Sequence, residues 1–342
     1  MKNNVLKKGV LLVAAAALLL TGCGAKQDPE AEAPVVKIGY GTVLCQAPLQ
    51  VAIENGYFDE EGLKYEAIKM DGLVTEYVGS GQVDASYGLV SKFIQPIDNG
   101  LDIMMTAGIH NGCIKLLVKP DSGIEKVADL KGKTVGVNGL AEAPAVLLKR
   151  ALHSEGVGVT SDNLEVDFVV YSNSDLAMAL ENGAVDAICL VDPAATVAVN
   201  QYGYTILLDT AVDEPYADEY CCATFVTGTF AKEYPEEAAK FTRAVMKASA
   251  WVDEHPEEAA KLLIEKEYLS GNPDVFASIL KTYNCKPSVQ GGYDAVLKNV
   301  EEFKKIGLLS ADTDTDSFVQ KAFFKFDKES GIYRMTRTYF SH

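Results

Sequence analysis

The sequence predicts an α/β protein of two lobes, each a mostly parallel sheet flanked by helices, joined by two crossings of the chain. From residue 35 onward, short β-type runs alternate with amphipathic helical stretches, the order expected of βαβ units. A helix-ending glycine followed by a strand that starts Val-Asp-Ala occurs twice, at Gly81-Gln82-Val83-Asp84-Ala85 and at Gly183-Ala184-Val185-Asp186-Ala187. The strands that open the two segments also match: Lys37-Ile38-Gly39-Tyr40-Gly41 and Thr134-Val135-Gly136-Val137-Asn138-Gly139 each run into a Gly-bearing turn and then a helix. One such match arises easily by convergence, whereas two in the same order point to two lobes of similar plan.

The chain begins with an export leader. Lys2, Lys7 and Lys8 make a basic start, an unbroken apolar run spans 10–20, and Leu20-Thr21-Gly22-Cys23 closes it. The run is about half of the ~20 residues that a membrane-spanning helix needs, so a permanent transmembrane anchor fails on length. The small residues Thr21 and Gly22 admit a peptidase, and the Cys23 thiol offers a nucleophile for a diacylglyceryl group. The four residues resemble the bacterial lipobox, which implies cleavage after residue 22 and lipid attachment at Cys23. Residues 23–34 are small, polar and Pro-bearing and read as a flexible tether.

Strands are expected at 35–39, 63–69, 83–87, 103–109, 114–118, 134–137, 166–171, 185–190, 205–208 and 222–227, with helices between them. Gly81 and Gly183 sit where a helix C-cap needs positive φ. The crossings fall near 110–118 and 209–222. This order divides the chain into a leader (1–22), a tether (23–34), the first part of lobe 1 (35–112), lobe 2 (113–215) and a return to lobe 1 (216–342). In that last part, Pro235-Glu236-Glu237-Ala238-Ala239-Lys240 and Pro256-Glu257-Glu258-Ala259-Ala260-Lys261 nearly duplicate each other. Pro suits a first helical turn and Glu complements the N-terminal dipole, so both read as starts of surface helices packed on the first lobe.

Charge excludes some partners. The chain carries a formal −17 and becomes more acidic once the leader and its three lysines are removed, so it has no electrostatic attraction for nucleic acid or an anionic bilayer. Six cysteines remain besides Cys23, namely Cys45, Cys113, Cys189, Cys221, Cys222 and Cys285. Their spacing lacks the density of a disulfide scaffold and contains no C-x-x-C or thiol/imidazole cluster at zinc spacing, so they read as scattered core thiols with no metal expected.

Residues 48–63, reading P-L-Q-V-A-I-E-N-G-Y-F-D-E-E-G-L, resemble the first helix and turn of the periplasmic binding proteins for taurine, alkanesulfonates, nitrate and thiamine-precursor pyrimidines. The stretch Val127-Ala128-Asp129-Leu130-Lys131-Gly132-Lys133-Thr134-Val135-Gly136-Val137 resembles that superfamily's entry to the second lobe. Val185-Asp186-Ala187-Ile188 followed by Asp192-Pro193 resembles its late strand and cleft edge. The similarity spans about 35–308. It implies a type II periplasmic-binding-protein fold whose lobes close over a small solute, partnered by an ABC transporter permease, at the extracytoplasmic face of the membrane. A monomer held to the membrane by its lipid alone, without a cofactor, is expected.

In open α/β sheets ligands sit beyond the carboxyl ends of strands, which selects 42–48, 88–91, 138–142 and 190–192. Thr42, Leu44, Cys45 and Gln46 precede the first helix; Thr42 either contacts solute or caps that helix. Gly88 and Leu89 lead to Ser91, where a chain close to a ligand would use the glycine. Asn138 and Glu142 stand in a turn that departs from the Ser/Thr-rich pattern of sulfonate binders. Glu142 either accepts hydrogen bonds from an amine or amidine-like ring nitrogen alongside Asp192, or compensates the helix dipole. His110 lies at the first crossing and Cys221 at the second, where strand alternation sends Cys221 and Cys222 to opposite faces. Tyr57 and Phe58 read as core.

The expected function is capture of a small polar organic solute, nitrogen-bearing or aromatic, for import. The alternatives are a sulfonate-, taurine- or nitrate-type anion, a surface sensor that presents its ligand, or an enzyme like the fungal-type pyrimidine synthases, which resemble these binding proteins and use a cysteine-rich, metal-dependent site. No paired carboxylates, nucleophile elbow or P-loop supports catalysis, so a non-enzyme is expected.

Overall fold

The computed structural model describes residues 33–327 and Gly331. The leader, Cys23, all but the end of the tether, and residues 328–330 and 332–342 lie outside the described residues. Among those described, no helix is long and apolar enough to cross a membrane.

Twelve strands form among the described residues: β1 (Val36–Tyr40), β2 (Tyr65–Lys69), β3 (Ala85–Leu89), β4 (Met104–Asn111), β5 (Ile114–Val118), β6 (Thr134–Val137), β7 (Val159–Thr160), β8 (Asn163–Leu164), β9 (Asp167–Val170), β10 (Ala187–Val191), β11 (Thr205–Asp209) and β12 (Tyr220–Val226). One sheet has the order β2-β1-β3-β12-β4, the other β11-β5-β10-β6-β9, and β7 and β8 make a separate hairpin. Helices flank both sheets, as the α/β reading expects.

The pairing is half parallel rather than mostly parallel. In the first sheet β1 is parallel to β2 and β3, while β12 is antiparallel to β3 and β4. In the second, β6 is parallel to β9 and β10, while β5 is antiparallel to β10 and β11. The cause is geometric. β5 and β12 are the strands that follow a crossing, so each starts at the edge where the parallel strands end and must run against them.

The repeated Val-Asp-Ala has a physical role in each sheet. Asp84 Oδ2 accepts from the Lys37 N–H at 2.9 Å, and the Asp84 N–H donates to the Lys37 carbonyl at 2.8 Å. Asp186 makes the same reciprocal pair with Thr134, at 2.9 and 2.8 Å. Each aspartate satisfies a donor one residue before the parallel ladder begins, at Ile38 opposite Ala85 and at Val135 opposite Ala187, and so fixes parallel register. Gly81 (φ 70°) and Gly183 (φ 71°) end the preceding helices in the left-handed conformation expected of them.

At the crossings the chain passes itself closely. Gly112 has φ 60°, and a Cβ there would stand 2.4 Å from Ala211 Cα, which only glycine avoids. The helices Pro235–Glu254 and Pro256–Glu265 carry Glu in their first turns and pack against helix Ala47–Glu54. Ala238, Ala239, Ala259 and Ala260 are fully buried, so small side chains let the helices approach. Tyr57 and Phe58 are core, with Phe58 stacked on Phe241 at 5.8 Å.

Because each pin is a hydrogen bond to a charged acceptor, Asp84→Ala and Asp186→Ala should each lower unfolding free energy by about 1.5–3 kcal/mol in urea denaturation. Asp→Asn should recover part of that loss, since the amide oxygen still accepts. A change below about 0.5 kcal/mol for both alanine variants would refute the register role.

Candidate functional site

The turn after β1 folds around Gln46. Its Oε1 accepts from the Gly41 N–H at 2.6 Å and its Nε2 donates to the Tyr87 carbonyl at 2.7 Å, tying the turn to β3. Gln46, Leu44 and Cys45 are buried, so they build the wall rather than offer free polar atoms, while Thr42 is exposed and caps nothing. At the end of β3, Gly88 is half-buried and a Cβ there would press within 3.2 Å of the Phe93 ring, so its role is packing. Leu89 and Ser91 face a cavity.

That cavity lies between the two sheets and is small, about 40 Å³. The β3 edge contributes Leu89 and Ser91, helix Ala143–Ser154 contributes Ala143, Val146, Leu147 and Arg150, and the crossings contribute Ile114, Thr210, Tyr216, Glu219, Tyr220 and Cys221. Asn299, from helix Val289–Lys305, completes the wall. Of the residues picked out from sequence, Leu89, Ser91 and Cys221 come together here.

Arg150, Glu219 and Asn299 escaped the sequence reading. Arg150 had a signal: it continues the i, i+3, i+4, i+7 stripe of Ala143, Val146 and Leu147, a charge on an otherwise apolar face. Its Nη2 donates to both carboxylate oxygens of Glu219 at 2.9 and 2.6 Å, Glu302 stands 3.9 Å from Nε, and the guanidinium lies over the Tyr216 ring at 5.3 Å. Arg150 Nε and Asn299 Oδ1 are buried without a hydrogen-bond partner.

Glu142 stands at the N-cap of helix Ala143–Ser154 without capping it and pairs instead with Lys92 at 2.9 Å, across the gap between the sheets. Asp192 is almost completely buried. Its Oδ2 accepts from Lys115 Nζ at 2.7 Å, and its Oδ1 accepts from the Thr196 N–H and hydroxyl at 2.9 and 2.7 Å. The structure therefore corrects the expectation of Asp192 as an open acceptor: a buried carboxylate must be paired, and this one caps a helix and neutralises a lysine. Lys115 also meets Asp209 at 3.1 Å. Burial opposes the charge on Lys115, but the fields of Asp192 and Asp209 outweigh it and raise its pKa above the ordinary lysine value. Asn138 is half-buried, with Oδ1 lacking a partner.

The thiols are less scattered than their spacing implies. Cys113 Sγ lies 3.4 Å from Cys221 Sγ, which lies 3.5 Å from His110 Nδ1. The donor atoms of His110, Cys221 and Cys222 fall within 4.8 Å of one another. Strand alternation alone separates Cys221 from Cys222, but β12 bulges between Tyr220 and Cys222 and again after Cys222, which relaxes that rule. Hydrogen bonds from the Cys221 and Cys222 thiols hold Cys113 well below an ordinary thiol pKa, with Lys115 and His110 assisting, whereas burial pushes Cys221 and Cys222 up.

His110 is fully buried and stacks on Tyr283 at 4.7 Å. Its Nδ1 faces the Asn111 carbonyl at 3.0 Å and its Nε2 the Cys45 carbonyl at 3.1 Å. Burial lowers its pKa, and a neutral ring donates to only one of those oxygens. The soft donors suit a thiophilic cation, but ligation through His110 would require it to give up a carbonyl contact. Where the sequence leads one to expect no metal cluster, the fold thus assembles a candidate donor set from two crossings. The six cysteines among the described residues are free thiols.

A family model described as NMT1/THI5 like matches residues 45–259. A putative aliphatic sulfonates-binding protein of Bacillus subtilis is 28% identical over 325 residues, covering 92% of this chain and 90% of that protein. Among solved structures, the periplasmic nitrate-binding protein of Synechocystis superposes with a TM-score of 0.70 at 16% identity, over 91% of this chain and 90% of its own. The periplasmic aliphatic sulphonate binding protein of Escherichia coli does so with a TM-score of 0.68 at 18% identity, over 86% and 92%. These structures share the periplasmic-binding-protein fold, and with more than half of its length matched by the family model, this chain belongs to the NMT1/THI5-like family.

Proposed function

We propose that the protein is the extracytoplasmic solute-binding component of an ABC-type importer, which captures a small polar organic molecule between its two sheets and delivers it to a permease. One observation carries this reading: a cavity of about 40 Å³ is walled from both sheets and from the crossings that join them, so rotation about those crossings would widen it to admit a solute and shut it again. Leu89, Ser91 and Cys221 are its solute contacts from the sequence reading, joined by Arg150, Tyr216, Glu219 and Asn299. In this reading lobe 1 comprises 35–112 and 216–342, and lobe 2 comprises 113–215. The printed functions of the B. subtilis, Synechocystis and E. coli proteins support an importer component and offer anions as a second reading of its cargo.

The protein binds rather than transforms its solute. The Cys221 thiol in the wall stands 3.5 Å from His110 Nδ1, but the other ring nitrogen faces the Cys45 backbone carbonyl rather than an orienting acid, and Arg150 and Glu219 neutralise each other. Acylation of Cys23 would keep this monomeric binder beside its permease.

Purified protein mixed with fractions of a cell extract should gain stability as the cognate solute reaches it, by about 2.7 kcal/mol at a hundredfold excess over Kd. The radius of gyration from small-angle X-ray scattering should fall with it, and the solute should be recovered with its mass unchanged. Absence of any stabilising fraction, or recovery of a chemically altered solute, would remove the importer reading.

Cys23→Ser should move the protein from the membrane fraction to the soluble extracytoplasmic fraction and abolish incorporation of labelled palmitate. Unchanged membrane retention without label would refute lipid anchoring at this position.

A further inference from the structure

We propose that Cys113 and Cys221 form a redox-active pair, which hydrogen peroxide entering the cavity converts to a disulfide that joins the two crossings of the chain. Formation of this bond does not depend on which solute the cavity carries.

Proximity is the first support. The two sulfurs lie 3.4 Å apart, although the residues are separated by 108 positions in sequence. A disulfide needs about 2.0 Å between its sulfurs, a closure that rotation of two short side chains supplies while the backbone stays in place. The Cys113 backbone is held from two sides: its N–H donates to Thr210 Oγ1 at 3.1 Å, and its carbonyl accepts from the Asp192 N–H at 2.9 Å. Near the start of β12, the Cys221 carbonyl accepts from the Val90 N–H at 2.9 Å. Thiols held in contact by fixed backbones react with each other in preference to a thiol from solution.

Access is the second support. Among the described cysteines Cys221 alone is half-buried, and it lines the cavity, whereas Cys113 and Cys222 are inaccessible. A cavity of about 40 Å³ has room for a molecule of a few heavy atoms. Hydrogen peroxide is of that size, so it meets Cys221 first, and Cys113 is oxidised only through Cys221.

The third support is a route for the proton and a donor for the incoming oxygen. His110 Nδ1 stands 3.5 Å from Cys221 Sγ. In the tautomer whose Nε2 donates to the Cys45 carbonyl at 3.1 Å, Nδ1 keeps a lone pair for the thiol proton. The Tyr283 ring stacks on His110, and its hydroxyl is buried without a hydrogen-bond partner, so the cluster holds an unspent donor for an oxygen that arrives on sulfur.

Atoms and electrons balance over two steps. Cys221 Sγ attacks one peroxide oxygen; the S–O bond forms as the O–O bond breaks, and the thiol proton, relayed through His110, leaves with the departing hydroxide as water. Cys113 Sγ then attacks the sulfenic sulfur of Cys221; the S–S bond forms, the S–O bond breaks, and the Cys113 proton leaves with the hydroxide as a second water. The two sulfurs together lose two electrons, and the peroxide gains them.

The test treats reduced, desalted protein with a small excess of hydrogen peroxide in the presence of a chelator, followed by alkylation under denaturing conditions. The count of free thiols should fall by two, the tryptic peptides that contain Cys113 and Cys221 should be recovered joined, and dithiothreitol should release them. In Cys113→Ser the second step is blocked, so a sulfenic acid should persist on Cys221 and be labelled by dimedone. Cys221→Ser should leave Cys113 unlabelled, and Cys222→Ser should still form the bridge. An unchanged thiol count after peroxide, or a bridge mapped to Cys222, overturns the proposal. Both of those readings come from the unsubstituted protein and do not require any variant to fold.

Discussion

A single strand holds this architecture together. β12 arrives from the second sheet and lies antiparallel between β3 and β4, completing the first sheet with a segment more than a hundred residues distant from either. Its hydrogen bonds leave the chain two routes between sheets, and both pass through one buried junction where Gly112 and Ala211 nearly touch. Everything at the site inherits its position from that junction. The β12 start sets Tyr220 and Cys221 against the cavity, and the β4 end sets His110 and Cys113 against them. Contacts of such sequence separation form only after large loops close, so this region should be among the last to order during folding.

Desolvation governs the charges around that junction. Lys115 is nearly inaccessible, a state that costs several kcal/mol for an ammonium unless paired, and two aspartates from different strands supply the pairing. Asp192 then spends its second oxygen on the start of the next helix, so one side chain ties β5, β10 and helix Ala194–Tyr202 into a unit. Arg150 does the same between a crossing and helix Val289–Lys305 through Glu219 and Glu302. Charges fixed in this way set the potential inside the cavity before any solute enters.

The periodic signals in the sequence located most elements and missed their edges. β3 was expected at 83–87 and runs Ala85–Leu89, because Val83 and Asp84 serve as the linker whose carboxylate pins β1. The antiparallel entries of β5 and β12 were not legible, since strand composition carries no direction. At the candidate site, the rule that ligands gather beyond strand ends selects Leu89 and Ser91, which line the cavity. It could not separate an available carboxylate from one already engaged, as Asp192 shows. The thiol group was invisible for another reason: Cys113 and Cys221 are separated by 108 residues, and only the crossings bring them to 3.4 Å. Cysteine spacing reports local metal motifs, not those assembled by topology.

The same distinction bears on what relatives can transmit. At 16–18% identity, the structural neighbours share the backbone frame with this chain, and the frame fixes where a cavity forms and which strand ends surround it. It does not fix the sign of the field inside. That depends on a few side chains, such as the carboxylate at the start of helix Ala143–Ser154 and the acid opposite Arg150, which can change without disturbing a single strand. A cargo named for one protein of this fold therefore carries over only if its counter-charges do. Here Lys92, Lys115 and Arg150 are already bound to carboxylates, so the relatives' cargo does not pass to this chain through the fold alone.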